Sequence, residues 1–405
     1  MRHCRFLSFL LTLCLVLSML AAFAGCGDKE PAATEPVESV AATTAATTAL
    51  PPPEENAYYS VIQAQRYIKQ IGRTQLSSGN ILADWTASGI EFEYQGYGDL
   101  SISVEKTGNS TVWLVAEVDG NAQDVAVKNT GVQNYRIATD LADGVHHVLV
   151  RRRTMATYKE NGAATGIPLQ FKGIQMTGRF LAKPADNTYQ VAFIGDSITC
   201  GAGIETPGED GTNHNGLSNY AIDLCTRENF DYDICCITAI GVYASASQHD
   251  YKTNTMTKYY PYYNYYRGTD ITYNPTRKAD LVIVNLNTND HNNTSSKNNS
   301  DSDKAAYQTA LRTFISEIRA AHGQNVKIVW VVGMMIDPNA KVNQWLNEVF
   351  DSLGGENAGL YRITVATDVS GLYDHPTLES HLAVSKSLSA FIRQKNLLNL
   401  PASSN

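Results

Sequence analysis

One serine stands where a reactive side chain is readily built. Val191-Ala192-Phe193-Ile194 is an apolar run suited to a buried parallel strand, and Gly195-Asp196-Ser197 breaks it as a sharp turn. In an open α/β sheet, groups just past the carboxyl end of a strand face the ligand crevice. That places Ser197 at the mouth of a pocket, close to the N-terminus of the next helix. A serine hydroxyl alone is a weak nucleophile. It attacks an acyl carbon only with a base to take its proton and donors to hold the developing oxyanion. Several other chemistries lack their residue patterns: the chain has no C-x-x-C pair, no H-E-x-x-H, no Walker or dinucleotide motif and no G-x-S-x-G elbow.

The elements around this turn alternate between strand-like and helical periods. Residues 188–400 carry five short apolar runs, Val191–Ile194, Tyr232–Thr238, Leu281–Leu286, Val326–Val332 and Leu360–Ala366. Between the third and fourth, Asp303–Gly323 shows Tyr307, Leu311, Phe314, Ile315 and Ile318 on one face, with Asp303 as a cap and Gly323 as a stop. Further helices are expected over about Lys341–Leu353 and Leu378–Lys395. The pattern predicts a three-layer α/β/α sandwich around a five-stranded parallel sheet. Residues 57–185 read differently, as many short alternating strands between Gly, Asn and Asp turns: Gly89–Tyr94, Leu100–Val104, Val112–Val118, a hairpin at Asp119-Gly120, and a turn at Asp143-Gly144 leading into Val145–Val150. This region is expected to be an all-β sandwich of jelly-roll type. Trp85 and Trp113 on such strands are expected in the core, and His146 and His147 as one buried and one exposed strand residue.

Between Lys258 and Tyr273 the chain turns aromatic, and this stretch reads as a long surface loop whose Tyr262, Tyr263 and Tyr265 are candidates for binding sugar. The N-terminus has another character. Arg2 and Arg5 precede the apolar run Phe6–Phe23, which closes in Ala24-Gly25-Cys26, the three-part pattern of a secretory signal over residues 1–25. Residues 26–56, rich in Ala, Thr, Pro and Glu, bury too little apolar surface to fold and read as a tether. Loss of residues 1–25 removes two arginines and no acid, taking the net charge from −8 to −10, the opposite of what nucleic-acid binding needs. Cys200, Cys225, Cys235 and Cys236 lie in apolar surroundings and are expected as buried free thiols.

Three resemblances now become visible. Ala24-Gly25-Cys26 resembles the lipobox of bacterial lipoproteins, a resemblance that implies Cys26 as the lipid-attachment residue and a place on the extracellular face of the cell membrane. Gly195-Asp196-Ser197-Ile198 resembles the first block of the SGNH hydrolase superfamily; Gly241, Asn289 and the Asp374-His375-Pro376 stretch match its second, third and last blocks, in order. Gly195–Gly203, with Asp84-Trp85, Ser88–Phe92, Val118-Asp119-Gly120 and Asp143–His146 before it, is similar to carbohydrate esterase family 2, in which a jelly roll precedes an SGNH domain. The resemblance implies removal of O-acetyl groups from plant-type saccharides such as xylan or mannan. It implies Ser197 as nucleophile, His375 as base, an oxyanion hole from the Ser197 and Gly241 N–H groups and the Asn289 amide, and neither metal nor cofactor. The other readings are a sugar-binding surface lipoprotein without turnover and an SGNH lipase or thioesterase.

Two positions depart from the superfamily pattern. Leu372 stands three residues before His375, where an aspartate is usual; the resemblance to family 2 implies a Ser–His dyad instead, with a carbonyl near Tyr373 or Asp374 accepting the ring N–H. Asn287 replaces the usual third-block glycine and is expected to alter the pocket floor. Among competing residues, Asp196 is expected to cap its own turn and His381 to pack within the last helix. The pairs His249-Asp250 and Asp290-His291 are expected as solvated loop residues.

Overall fold

The structure, a computed structural model, describes residues 54–160, 163–205, 214–294 and 300–401. The signal, Cys26 and all but the last three residues of the tether lie outside them. Nine strands of the first part pair antiparallel in one rolled sheet, a β-sandwich closed around its own core. Its long members are β1 (Gly89–Lys106), β2 (Val112–Val118), β3 (Asn121–Val127), β4 (Gly131–Arg152) and β5 (Leu169–Phe180), in the spatial order β5-β1-β4-β2-β3. Asp119 and Gly120, both at positive φ (51° and 80°), make the two-residue hairpin between Val118 and Asn121.

The expectation of many short strands is corrected at β1 and β4. These run 18 and 22 residues and pair with each other along most of their length. Register shifts at Gly96, Gly98 and Leu100 bend the pair, so that one strand serves both layers. Asp143-Gly144 lies inside β4, opposite Gly96, and not at a turn between strands.

The second part is the three-layer sandwich. β6 (Gln190–Gly195), β7 (Asp231–Cys236), β8 (Leu281–Asn285), β9 (Lys327–Met334) and β10 (Leu360–Thr367) form a wholly parallel sheet in the order β7-β6-β8-β9-β10. Alternation along β6 sends Ala192 and Ile194 to one face and Val191 and Phe193 to the other. Helices α3 (Asp301–His322) and α4 (Lys341–Ser352) cover the first face, while α1 (Tyr220–Glu228) and α5 (Leu378–Gln394) cover the second. The five apolar residues expected on α3 are all buried, but its cap is Ser300, whose hydroxyl accepts the Asp303 N–H. Cys235 and Cys236 face opposite layers, and the four cysteines of this part are free and buried.

The tyrosine-rich stretch is not a surface loop. Tyr259, Tyr260 and Tyr263 are buried in the same core as β6, together with Trp85 of the sandwich. The phenol rings supply apolar area, and their carbonyls are taken up by the sandwich. The Arg73 guanidinium, wholly buried, lies 3.5 Å from the Tyr273 ring centre. It donates to the carbonyls of Tyr260 (2.9 Å) and Tyr262 (2.8 Å), and Trp85 Nε1 donates to that of Tyr263 (2.7 Å). Asp84 pairs with Arg267 and accepts from the Asn264 amide. The two parts thus share a core through this segment.

Candidate active site

The turn after β6 is shaped by crowding. A Cβ on Gly195 would lie 1.9 Å from Thr199 Oγ1, so only glycine admits the turn. Asp196, fully buried, caps it by accepting the Ile198 N–H at 3.0 Å. Burial pushes its carboxyl up to about 7. A succession of turns follows Ser197, closed by Cys200 N–H to Asp196 O and Ala202 N–H to Ser197 O, both 3.0 Å. No helix starts there, contrary to expectation; among the described residues the next is α1, whose nine residues gave too short a periodic signal to read.

Ser197 and His375 meet across 178 residues of sequence, Oγ to Nε2, at 2.8 Å. His375 Nδ1 lies 2.8 Å from the Tyr373 carbonyl. A carbonyl only accepts, so Nδ1 carries the proton and Nε2 is left to accept from the serine. Tyr373 and Asp374 sit at φ 53° and 57°, a left-handed pair that folds the chain back far enough for a carbonyl two residues away to reach the ring. Burial holds the imidazole below the ordinary histidine range, so it is neutral at neutral pH and ready to take a proton.

The donors fall differently from the sequence expectation. The Gly241 N–H is committed to Ser245 Oγ at 3.0 Å, and Gly241 is buried. Its lack of a side chain serves close packing: a Cβ would lie 2.2 Å from Ala244 O and 2.9 Å from Asp290 Cγ. Ala239 is the residue of this segment with a left-handed backbone (φ 61°) and partial exposure. Its N–H has no acceptor among the described residues. Since Gly195 and Cys236 are level in the sheet, Ser197 and the Thr238-Ala239 turn leave it at the same height. Asn289, on helix α2 (Thr288–Asn293), directs its amide to Ile240 O (2.9 Å) and, with a longer bond, to Asp196 Oδ2 (3.3 Å).

Asn287 takes φ 93°, the conformation that makes glycine usual there, and turns its side chain away from the crevice. Its Oδ1 accepts from Tyr307 OH (2.7 Å) and its Nδ2 donates to Asn343 Oδ1 (3.0 Å), so it ties α3 and α4 beneath the loop. His381 packs as expected, buried, with Nδ1 accepting the Tyr220 N–H at 3.2 Å. His249 and Asp290 are not solvated. His249 bridges Thr238 O (2.8 Å) and Tyr266 OH (3.2 Å), and the Asp290 carboxylate takes three backbone N–H groups. No cluster of three potential metal ligands occurs among the described residues. Tyr263 is removed from the binding candidates by full burial. Tyr265 stacks on Tyr259 at 4.3 Å and packs beside Tyr262, placing both in the aromatic pile between the two parts.

Family models match both parts: residues 70–184 fit the carbohydrate esterase 2 N-terminal domain and residues 191–367 the GDSL-like lipase/acylhydrolase domain. The chain belongs to carbohydrate esterase family 2. Among curated proteins, this family 2 chain is 28% identical to the cellulase/esterase CelE of Acetivibrio thermocellus over 257 residues, 62% of its own length. The match spans 29% of CelE, which is the longer protein. It is 22% identical to the acetylxylan esterase/glucomannan deacetylase of Cellvibrio japonicus over 322 residues, covering 77% of this chain and 85% of that one. A family two carbohydrate esterase from Clostridium thermocellum, solved with cellohexaose, superposes with a TM-score of 0.69 at 25% identity, over 82% of this chain and all of that one.

Proposed function

We propose that this chain is a serine esterase removing O-acetyl groups from plant-type polysaccharides or oligosaccharides such as xylan and mannan. The observation that carries the proposal is the 2.8 Å contact between Ser197 Oγ and His375 Nε2, with Nδ1 fixed by a carbonyl. In the first step His375 Nε2 takes the hydroxyl proton while Oγ bonds to the acetyl carbon. The oxyanion draws on the Ser197 N–H, the Ala239 N–H in place of Gly241, and the Asn289 amide, which exchanges its longer bond to Asp196 for one to the oxyanion. The tetrahedral species collapses, and the sugar oxygen leaves with the proton from Nε2. Water, deprotonated by the same nitrogen, then cleaves the acetyl-serine and releases acetate.

A saccharide substrate is supported by the names of the two curated relatives and by the cellohexaose complex of the solved one. We further propose that Cys26 carries a lipid and holds the enzyme at the outer face of the cell membrane, on the strength of the basic, apolar and small-residue order of residues 1–26. Release of acetate from acetylated xylo- and manno-oligosaccharides tests the first reading. A Ser197→Ala variant that binds these sugars without turnover agrees with it, whereas one that still releases acetate overturns it. Cys26→Ser should move the protein from the membrane fraction to the medium.

A further inference from the structure

Asp290 is the most heavily bonded buried carboxylate of the site side, and neither the dyad nor the oxyanion hole uses it directly. Its Oδ2 accepts the Val242 N–H (2.8 Å), and its Oδ1 accepts those of Tyr243 (2.8 Å) and Ala244 (2.9 Å). Three consecutive amides turned inward form a concave anion site, and here the anion is a side chain of the protein itself. Burial pushes the Asp290 carboxyl up to about 6, against the pull of the three N–H groups. The adjoining Asn289, on the same helical turn, grips the same segment two residues earlier, through Ile240 O at 2.9 Å. The remaining closures are Gly241 N–H to Ser245 Oγ and Ala246 N–H to Ala239 O at 2.9 Å. Residues 239–246 are therefore fastened to α2 at two neighbouring points, and Ala239, whose N–H has no acceptor among the described residues, begins the fastened segment.

We infer that Asp290 is a positioning residue for the oxyanion hole, locking the backbone donor of Ala239 and the side-chain donor of Asn289 into one rigid joint. The inference rests on the esterase reading above. An asparagine at 290 keeps one acceptor oxygen but turns an NH2 group toward at least one backbone N–H, so two donors face each other in a buried site. The segment must then shift, and a donor displaced by a fraction of an ångström loses much of its hold on the transition state.

The test is a cycle of Asp290→Asn, Asn289→Ala and the double variant, read as kcat and KM for 4-nitrophenyl acetate, with the folded fraction checked by circular dichroism. Asp290→Asn is expected to lower kcat about thirtyfold with KM within about twofold, because the loss falls on the transition state. In the Asn289→Ala background the same change should lower kcat less than about fivefold, since coupled sites are not additive. If Asp290→Asn does not fold, Tyr243→Pro removes one of the three donors from the opposite partner and enters the same cycle. A loss carried by KM, a kcat within twofold of wild type, or full multiplication in the double variant overturns the inference. Loss of turnover in Ser197→Ala with any of these results leaves the esterase reading standing and removes only the role of Asp290.

Discussion

Ser197 and His375 reach one contact from supports of opposite construction. On the serine side, every residue of β6 is buried, Ile198 and Cys200 continue the core, and Thr199 is sealed beneath with its hydroxyl 2.9 Å from Tyr220 OH. On the histidine side, the chain between β10 and α5 is partly or fully exposed except at Pro376: Val369 is 48% and Tyr373 71% accessible. Its shape comes from polar bonds. The Asp368 carboxylate accepts from the backbone and hydroxyl of Ser370, from those of Thr377, and from Ser380 Oγ. Gly371 N–H donates to His375 O, and His375 N–H to Leu372 O. Those hydroxyls and amides hold the Asp368 carboxyl well below the usual carboxylate range, so the clamp stays ionised wherever the histidine is neutral. Apolar packing fixes the attacking atom, and a closed polar loop fixes the base; the missing triad acid is replaced by backbone geometry.

The comparison is broken most completely at the serine. Ser197→Ala should lower kcat at least about 10³-fold with an unchanged thermal midpoint, since the hydroxyl supports no packing. Next comes the point where the two supports touch. Gly203 has φ +72°, and a Cβ there would lie 2.4 Å from Leu372 O and 2.7 Å from His375 Cβ. Gly203→Ala should push the histidine away and lower kcat about 10²-fold, and a change within threefold would show that the loop yields freely. Asp368→Ala removes the clamp without touching the dyad and should lower kcat about tenfold, with faster amide exchange over residues 368–377 as the check. The smallest effect is on pH. Since burial lowers the pKa of His375, the acid limb of kcat/KM should fall below the ordinary histidine value of 6.5, the active neutral form persisting into mild acid; a limb at or above 6.5 contradicts the burial argument.

Periodicity made much of this legible in sequence. The five parallel strands, the buried face of α3 and the serine turn follow from short-range patterns, and the carbonyl near Tyr373 from the family resemblance. What could not be read depended on contacts made by folding. Ala239 has a left-handed backbone that no glycine advertises, whereas Gly241, two residues on, is a glycine without positive φ whose small size answers to Ala244 and Asp290. Asp290 looked like a loop acid because the three amides it holds are 46 to 48 residues away in sequence. The tyrosines of the 259–273 stretch looked exposed because nothing local shows that Trp85 and Arg73 fold onto them.

That last arrangement bears on how the protein can be taken apart. Residues 181–189, which join the sandwich to β6, are partly or fully accessible, so a protease should find them. Cutting there should not liberate two proteins: the Arg73 guanidinium would still be seated on the tyrosine carbonyls, and Trp85 would still fill a hole in the other half's interior. A nicked chain would travel as one particle, while either half made alone would expose an aromatic socket or a stranded cation to water.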